Sequence, residues 1–313
     1  MKDQSEPGAS AGAHNTEGPA GTGAIGRLAV HARAMFASER GLTALGGVGL
    51  VIAFVCLVGV GVHGPLVPPE GKMLDAATFT FGVAIFTLTM ALLLPMAGYS
   101  ETGRRRWRAA YAMFAAYGLV VEPVQAFRGL DPRFTQVGGV VDQIAGAVFG
   151  LTALVLTVAF VFLGLRFFRS DVLEDRPILR TGIRYGTVAV WMSFGVGIAM
   201  SVNAGRQVGD AGDLMLTHAL GVHGIQAVPA VALLLIWATA VSRSSGWIHV
   251  AGAGWLAACT AALLQSLVGR PPLETSAFPV AMVAGLVVWA IVGGYARRSW
   301  RRPPNVHGAT PAR

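Results

Sequence analysis

Eight stretches of the chain are continuously apolar over about 20 residues: 42–63, 76–98, 107–127, 143–166, 183–203, 217–241, 247–268 and 277–296. That is the length at which a helix crosses the hydrocarbon of a bilayer. The runs do not alternate apolar with polar positions, so helices fit them and a membrane barrel does not. The expected fold class is all-α, a polytopic integral membrane bundle of about eight transmembrane helices. No internal repeat stands out.

The charges lie between these runs. Nineteen of the 24 Lys and Arg residues fall in the N-terminal tail, in the loops around 99–108, 166–184 and 242–246, and in the C-terminal tail. The alternate loops hold only Lys72, Arg128, Arg133, Arg206 and Arg270. Basic residues accumulate on the cytoplasmic side, so both termini are expected there. Arg104, Arg105, Arg106 and Arg108, and later Arg297, Arg298, Arg301 and Arg302, read as anchors beside anionic lipid. Residues 1–40 are rich in Gly, Ala, Ser, Glu and Pro and lack the basic start and short apolar run of a signal peptide. They are expected to be a disordered cytoplasmic tail, with the eight-helix domain over 41–298 and a basic disordered tail over 299–313.

Composition closes off other classes. Of 313 residues, 54% are hydrophobic and 13% charged, against about 25% charged in a soluble domain. A soluble chain of this size could not cover its surface. The net charge of +8 sits in loops, so membrane lipids are the expected partner and nucleic acid is not. Cys56 and Cys259 lie in apolar runs, which argues against a disulfide framework or a Cys-rich metal site. There is no P-loop, dinucleotide fingerprint, zinc motif or nucleophile elbow, and no pair of Asp-rich motifs for Mg²⁺ and diphosphate. No metal is expected.

The remaining polar residues gather at the outer ends of the helices. Glu122, Gln125 and Arg128 end the third segment, followed by Asp131, Arg133 and Asp142. Asn203, Arg206, Asp210 and Asp213 follow the fifth, and His218, His223 and Gln226 begin the sixth. His63, Asp75, Gln265, Arg270 and Glu274 also map there. A charge near mid-membrane costs about 2.5–3.5 kcal/mol on insertion scales, so Glu122 is either an intramembrane acid or ligand-binding carboxyl, or half of an ion pair. Its partner would then be Arg128 or an arginine of a neighbouring outer loop. Pro123 and Pro229 each remove a helix hydrogen bond beside these groups. His218 and His223 stand about 140° apart on a helix at 100° per residue, too far to grip one metal together. Gln226 lies between them on the wheel. One His can serve as base, hydrogen-bond donor or axial haem ligand, or all three can bond neighbouring helices. Thr80, Thr87 and Thr89 can bond back to their own helix.

Gly212-Asp213-Leu214 followed by His218, Gly221, His223 and Gln226 resembles the Gly-Asp-Leu…His-x-x-Gly-x-His-x-x-Gln motif of a family of multi-pass bacterial membrane proteins of unknown function. Glu122, Gln125, Arg128 and Gly129 are similar to that family's glutamate and its Gln-x-x-Arg-Gly element. The likeness covers about residues 45–240. It implies a multi-pass protein of the bacterial cell membrane with a site at these positions, and it implies no reaction. Where the family continues with Ser-His-Phe-Asn, this chain has Asp131-Pro132-Arg133-Phe134, the pattern of a diverged member recruited to specialised metabolism.

Two functional expectations follow. The first is an intramembrane enzyme doing acid–base chemistry on a lipophilic small molecule, most concretely a metal-independent terpene cyclase that protonates a prenyl chain. Glu122 is then the acid, with Asp142 or Asp213 as alternatives, and His223 or His218 the base. Gln125, Arg128, Gln226, Tyr117 and Trp191 would bind substrate, and Phe114 and Phe127 would add aromatic faces for carbocations. The likeness to small integral-membrane terpene cyclases is one of class alone. The second is a haem protein working with quinone, with His218 or His223 and either His63 or His249 as axial ligands. A transporter or sensor is the third class.

Overall fold

The computed structural model describes residues 33–34, 36–238 and 245–300. The expected disordered tails, the end of the sixth apolar run and Arg243, Arg301 and Arg302 lie largely or wholly outside the described residues. The described residues form an all-helical, multi-pass membrane bundle. Its long helices are α1 (Arg40–His63), α2 (Met73–Leu93), α3 (Glu101–Phe127), α4 (Val140–Arg166), α5 (Pro177–Val202), α6 (Met215–Trp237), α7 (Ser245–Leu267) and α8 (Ala277–Trp300). Seven of them are long and apolar enough to cross a membrane. The other, α3, carries the arginine cluster in its first turns together with Glu122, Pro123 and Gln125 near its end.

The helices extend past the apolar runs because backbone hydrogen bonding continues into polar turns. Helix α3 starts at Glu101, where the Ser100 hydroxyl caps Gly103 N at 3.2 Å. Helix α4 starts at Val140, where the Asp142 carboxylate accepts from Gly139 N at 3.1 Å. Helix α5 opens on Pro177, a position where the missing N–H is not needed. Pro123 and Pro229 sit inside continuous helices.

A repeat that the sequence hides becomes plain in the backbone. Helices α1 to α4 and α5 to α8 are two units of one design: a helix, a two-residue β-hairpin, and three further helices. The hairpins are β1 (Leu66–Val67) with β2 (Gly71–Lys72), and β3 (Gln207–Val208) with β4 (Gly212–Asp213). Their registers match, with Leu66 opposite Lys72 in one and Gln207 opposite Asp213 in the other. So do their tethers. Glu70 N donates to Gly129 O as Ala211 N donates to Gly269 O, both at 2.9 Å. Met73 N donates to Pro65 O as Leu214 N donates to Arg206 O, again both at 2.9 Å. Gly129 and Gly269 both turn with positive φ, 77° and 72°. Each unit thus holds four long helices and one hairpin in the same order.

Within each half the first two helices meet through small residues. A Cβ on Gly186 would come within 2.8 Å of Gly224 O and Ile225 Cα, and one on Gly49 within 2.8 Å of Ala84 Cβ. Close backbone approach of this kind holds membrane helices together where lipid removes the hydrophobic driving force. Between the halves the main backbone approaches are α4 with α5 and α2 with α6. Gly186→Val is expected to destabilise the fold by about 1–3 kcal/mol through overpacking. Gly47→Val, with nothing within 4 Å of its Cβ position, should leave the melting temperature unchanged. Thermal unfolding of both variants in one detergent checks the contrast.

Candidate functional site

The hairpin end of the bundle carries most of its interior charge, in separate clusters. Glu122, 1% exposed, sits one turn from the end of α3. Of the partners open from the sequence, it takes Arg133 from the loop between α3 and α4: Arg133 Nη2 lies 2.8 Å from Glu122 Oε2. That carboxylate oxygen has no hydrogen bond of good alignment. The guanidinium rests on two phenyl faces, 5.2 Å from the Phe79 centroid and 5.0 Å from that of Phe149. The two rings are themselves 5.3 Å apart. Gly118 leaves room for Phe79, whose ring lies 3.7 Å from its Cβ position.

Arg128 belongs to a different pair. Its Nη1 donates to Asp142 Oδ1 at 2.5 Å and to Gln125 Oε1 at 2.6 Å, while Gln125 Nε2 donates to Asp142 Oδ1 at 3.1 Å. Asp142 also closes its own helix. The expected substrate contacts Gln125 and Arg128 and the expected alternative acid Asp142 are therefore committed to one another. Tyr117 donates to Ala145 O at 2.8 Å, which joins α3 to α4. Asp213 pairs with Arg206 at 3.1 Å and accepts from Met215 N at 2.8 Å, so it starts α6.

What positions Arg133 is Glu70, on the first hairpin. Its carboxylate accepts from the Thr135 hydroxyl at 2.6 Å and from Gln136 N at 2.8 Å, with Asp131 N at 3.4 Å. Asp131 in turn caps Arg133 N and Phe134 N at 2.8 and 2.9 Å. The Thr135 hydroxyl foremost, then the Gln136 amide, hold the Glu70 carboxyl below the usual carboxylate range.

In the second half, His218 in the first turn of α6 faces Ser193 of α5. Its Nδ1 lies 3.0 Å from both Ser193 Oγ and Ser193 O, and the Ser193 hydroxyl donates to His218 O at 2.7 Å. Gly197 makes room for the ring, since its Cβ would stand 3.2 Å from His218 Cε1. His223 is half-buried and has no side-chain partner among the described residues. The Gln226 amide lies 3.0 Å from Thr89 Oγ1 and ties α6 to α2 across the halves. Of the three, His218 and Gln226 bond neighbouring helices, one of the alternatives open from the sequence.

Several expectations need correction. Trp191 does not wall the Glu122 site: it stacks on Phe168 at 5.4 Å, beyond the end of α4 remote from the hairpins. The aromatic faces beside Glu122 belong to Phe79 and Phe149, two phenylalanines among 15 that no sequence signal singled out. Thr80 does not bond back to its helix and its buried hydroxyl lacks a partner, whereas Thr87 and Thr89 donate to Val83 O and Ile85 O at 2.8 Å. At the other end of the bundle Glu39, assigned by composition to the tail, is 1% exposed and pairs with Arg104 at 3.5 Å and Arg108 at 2.5 Å. Those two arginines are held by protein, while Arg105 and Arg106 are exposed. His63 is exposed at the end of α1, and His249 lies 3.1 Å from the Tyr185 hydroxyl. Among the described residues no three His, Cys, Asp or Glu side chains converge as a metal site.

Comparison of the chain with family models, with curated proteins and with solved structures gave no match.

Arg133→Ala should destabilise the protein by up to about 3–5 kcal/mol, the range for leaving a buried charge unpaired. Adding Glu122→Gln should recover most of the loss, which a double-mutant cycle of thermal unfolding measures. A second prediction concerns pH. Because the folded carboxyl of Glu70 is held low, its tether is intact above the ordinary carboxylate range and is lost as pH falls through the lowered value. Hydrogen exchange at Gln136, corrected for its intrinsic rate, should therefore lose protection on acidification. Glu70→Gln should show weak protection already at neutral pH and no such dependence.

Proposed function

We propose that the chain is an eight-span protein of the bacterial cell membrane, with both termini cytoplasmic, that performs acid–base chemistry on a lipophilic small molecule at its outer end. Helix α3 serves as the eighth span: its 27 residues extend about 40 Å at 1.5 Å per residue, against about 30 Å of hydrocarbon. The arginine excess on the loops away from the hairpins supports the orientation. Its partners are membrane lipids and a substrate delivered from them, and nucleic acid is not among them.

The observation that carries the reading is a buried carboxylate beside two phenyl faces that already hold a cation. In its most concrete form the reaction is metal-independent cyclisation of a prenyl chain. At rest Arg133 pairs with Glu122 and occupies the faces of Phe79 and Phe149. Substrate replaces the guanidinium there, Glu122 takes up a proton and passes it to a terminal alkene or epoxide, and the aromatic faces stabilise the carbocation. The cation ends by losing a proton to an imidazole, His218 or His223, so the product is an isomer of the substrate. Each proton transfer of this kind is worth about 10²–10⁴ in rate.

A carrier is the second reading, favoured by the two halves of like design that face each other across α4–α5 and α2–α6. Purified protein incubated with prenylated lipids should yield an isomer of unchanged mass. Glu122→Gln should lower turnover at least about 10²-fold with an unchanged amount of folded protein. Full activity in that variant overturns the acid assignment. Flux of a prenylated lipid into liposomes without isomerisation makes the carrier the function. A Soret band in the purified protein, with α and β bands on reduction, replaces both with a haem protein ligated through His218 or His223.

A further inference from the structure

Two hydrogen bonds fix the tautomer of His218. A carbonyl oxygen accepts and never donates, so Nδ1, 3.0 Å from Ser193 O, carries the ring proton. The Ser193 hydroxyl lies 2.7 Å from His218 O, also an acceptor, so the hydroxyl proton points there. Its oxygen is then left to accept from the same Nδ1–H at 3.0 Å. Every assignment agrees with every other. Nε2 is left bare, with no partner among the described residues, on a ring wedged against Gly197. A bare imidazole nitrogen accepts a hydrogen bond and cannot give one.

We infer that His218 is held as the Nδ1–H tautomer by Ser193 and that its Nε2 accepts the hydroxyl of a lipophilic alcohol or phenol. This rests on the reading of the outer end as a site for a lipophilic substrate, and it names that substrate's polar head. The site requires a molecule that donates to Nε2. A ketone, ether or ester offers only lone pairs to a nitrogen that has one of its own. Ser193 is a positioning residue: its side chain and backbone orient the ring, and neither touches the ligand. The first half has no counterpart. The hairpin registers put Ala77 of α2 where His218 stands in α6, so the pair is not repeated at that position.

The test uses full-length protein in detergent micelles, labelled with ¹⁵N in histidine. His218 is assigned by its loss in His218→Asn. Long-range ¹H–¹⁵N correlation at neutral pH should show a protonated Nδ1 and a pyridine-type Nε2. An Nε2–H tautomer or a doubly protonated ring at the assigned His218 overturns the proposal, and His218→Gln supplies the assignment if His218→Asn does not fold. Titration with 4-hexylphenol should shift the Nε2 resonance, and titration with its methyl ether, 4-hexylanisole, should not. Equal shifts from the two probes, or none from either, overturn the hydroxyl assignment. Ser193→Ala should weaken the phenol response about two- to ten-fold, the worth of one hydrogen bond, and Ser193→Thr should restore it. An active Glu122→Gln enzyme would end the cyclase reading and leave these spectra unchanged.

Discussion

Everything at the functional end hangs on a backbone contact made twice. In each half a hairpin glycine presses on the last turn of the third helix, Gly71 on Ala126 O and Gly212 on Ser266 O. A Cβ at either position would collide with a carbonyl, so no other residue fits. Each seat is closed by a glycine of positive φ just past the helix end, Gly129 and Gly269, which directs the chain across the hairpin. From the first seat Glu70 reaches the α3–α4 loop and brings Arg133 to Glu122. From the second, Ser266 donates to Asp213 O at 2.7 Å and the start of α6 is fixed, with His218 a turn further on. Both polar clusters are thus hung from helix ends whose geometry is set by backbone, not by charge.

The two halves share this frame and differ in what it carries. The first half places a glutamate, an arginine and two aromatic faces where the second, at Ala262, has an apolar helix end. The second half places a histidine where the first has an alanine. Duplicated frames with unlike side chains suit a protein that needs one site between two supports. The expense of burying Glu122 falls on a single helix. Gln265 shows the structural alternative: it occupies the place of Gln125 in the second half, but bonds to Pro271 O, Glu274 O and the Ser276 hydroxyl, and so only ties its own loop.

The helices were legible before the structure because hydrocarbon admits backbone only when its polar groups bond within the segment, and a run of apolar residues long enough to cross records that demand directly. Their ends were legible to within a few residues, and drifted outward where Ser100 or Asp142 extends hydrogen bonding into polar sequence. Glu122 was legible for the same reason in reverse, since a lone carboxyl in an apolar run is costly wherever it points. The hidden repeat was not. Its shared content is mainly backbone hydrogen bonds and glycine conformations, which scattered identities along two apolar halves do not single out.

By itself the sequence determined that this chain is a bundle of membrane-length helices and that polar chemistry gathers at the hairpin end, because both follow from one-dimensional patterns of hydropathy and charge. Only the tertiary structure decided the pairings. Arg128 is nearer to Glu122 in sequence, yet Asp142 takes it and Arg133 is delivered by a loop that Glu70 folds. Phe79 and Phe149 become a seat for a cation because α2 and α4 flank α3, which no periodicity along the chain records. Ser193 and His218 meet because glycines let α5 and α6 close on each other. Partner choice depends on distances between helices, and those are set by packing that sequence spacing does not encode.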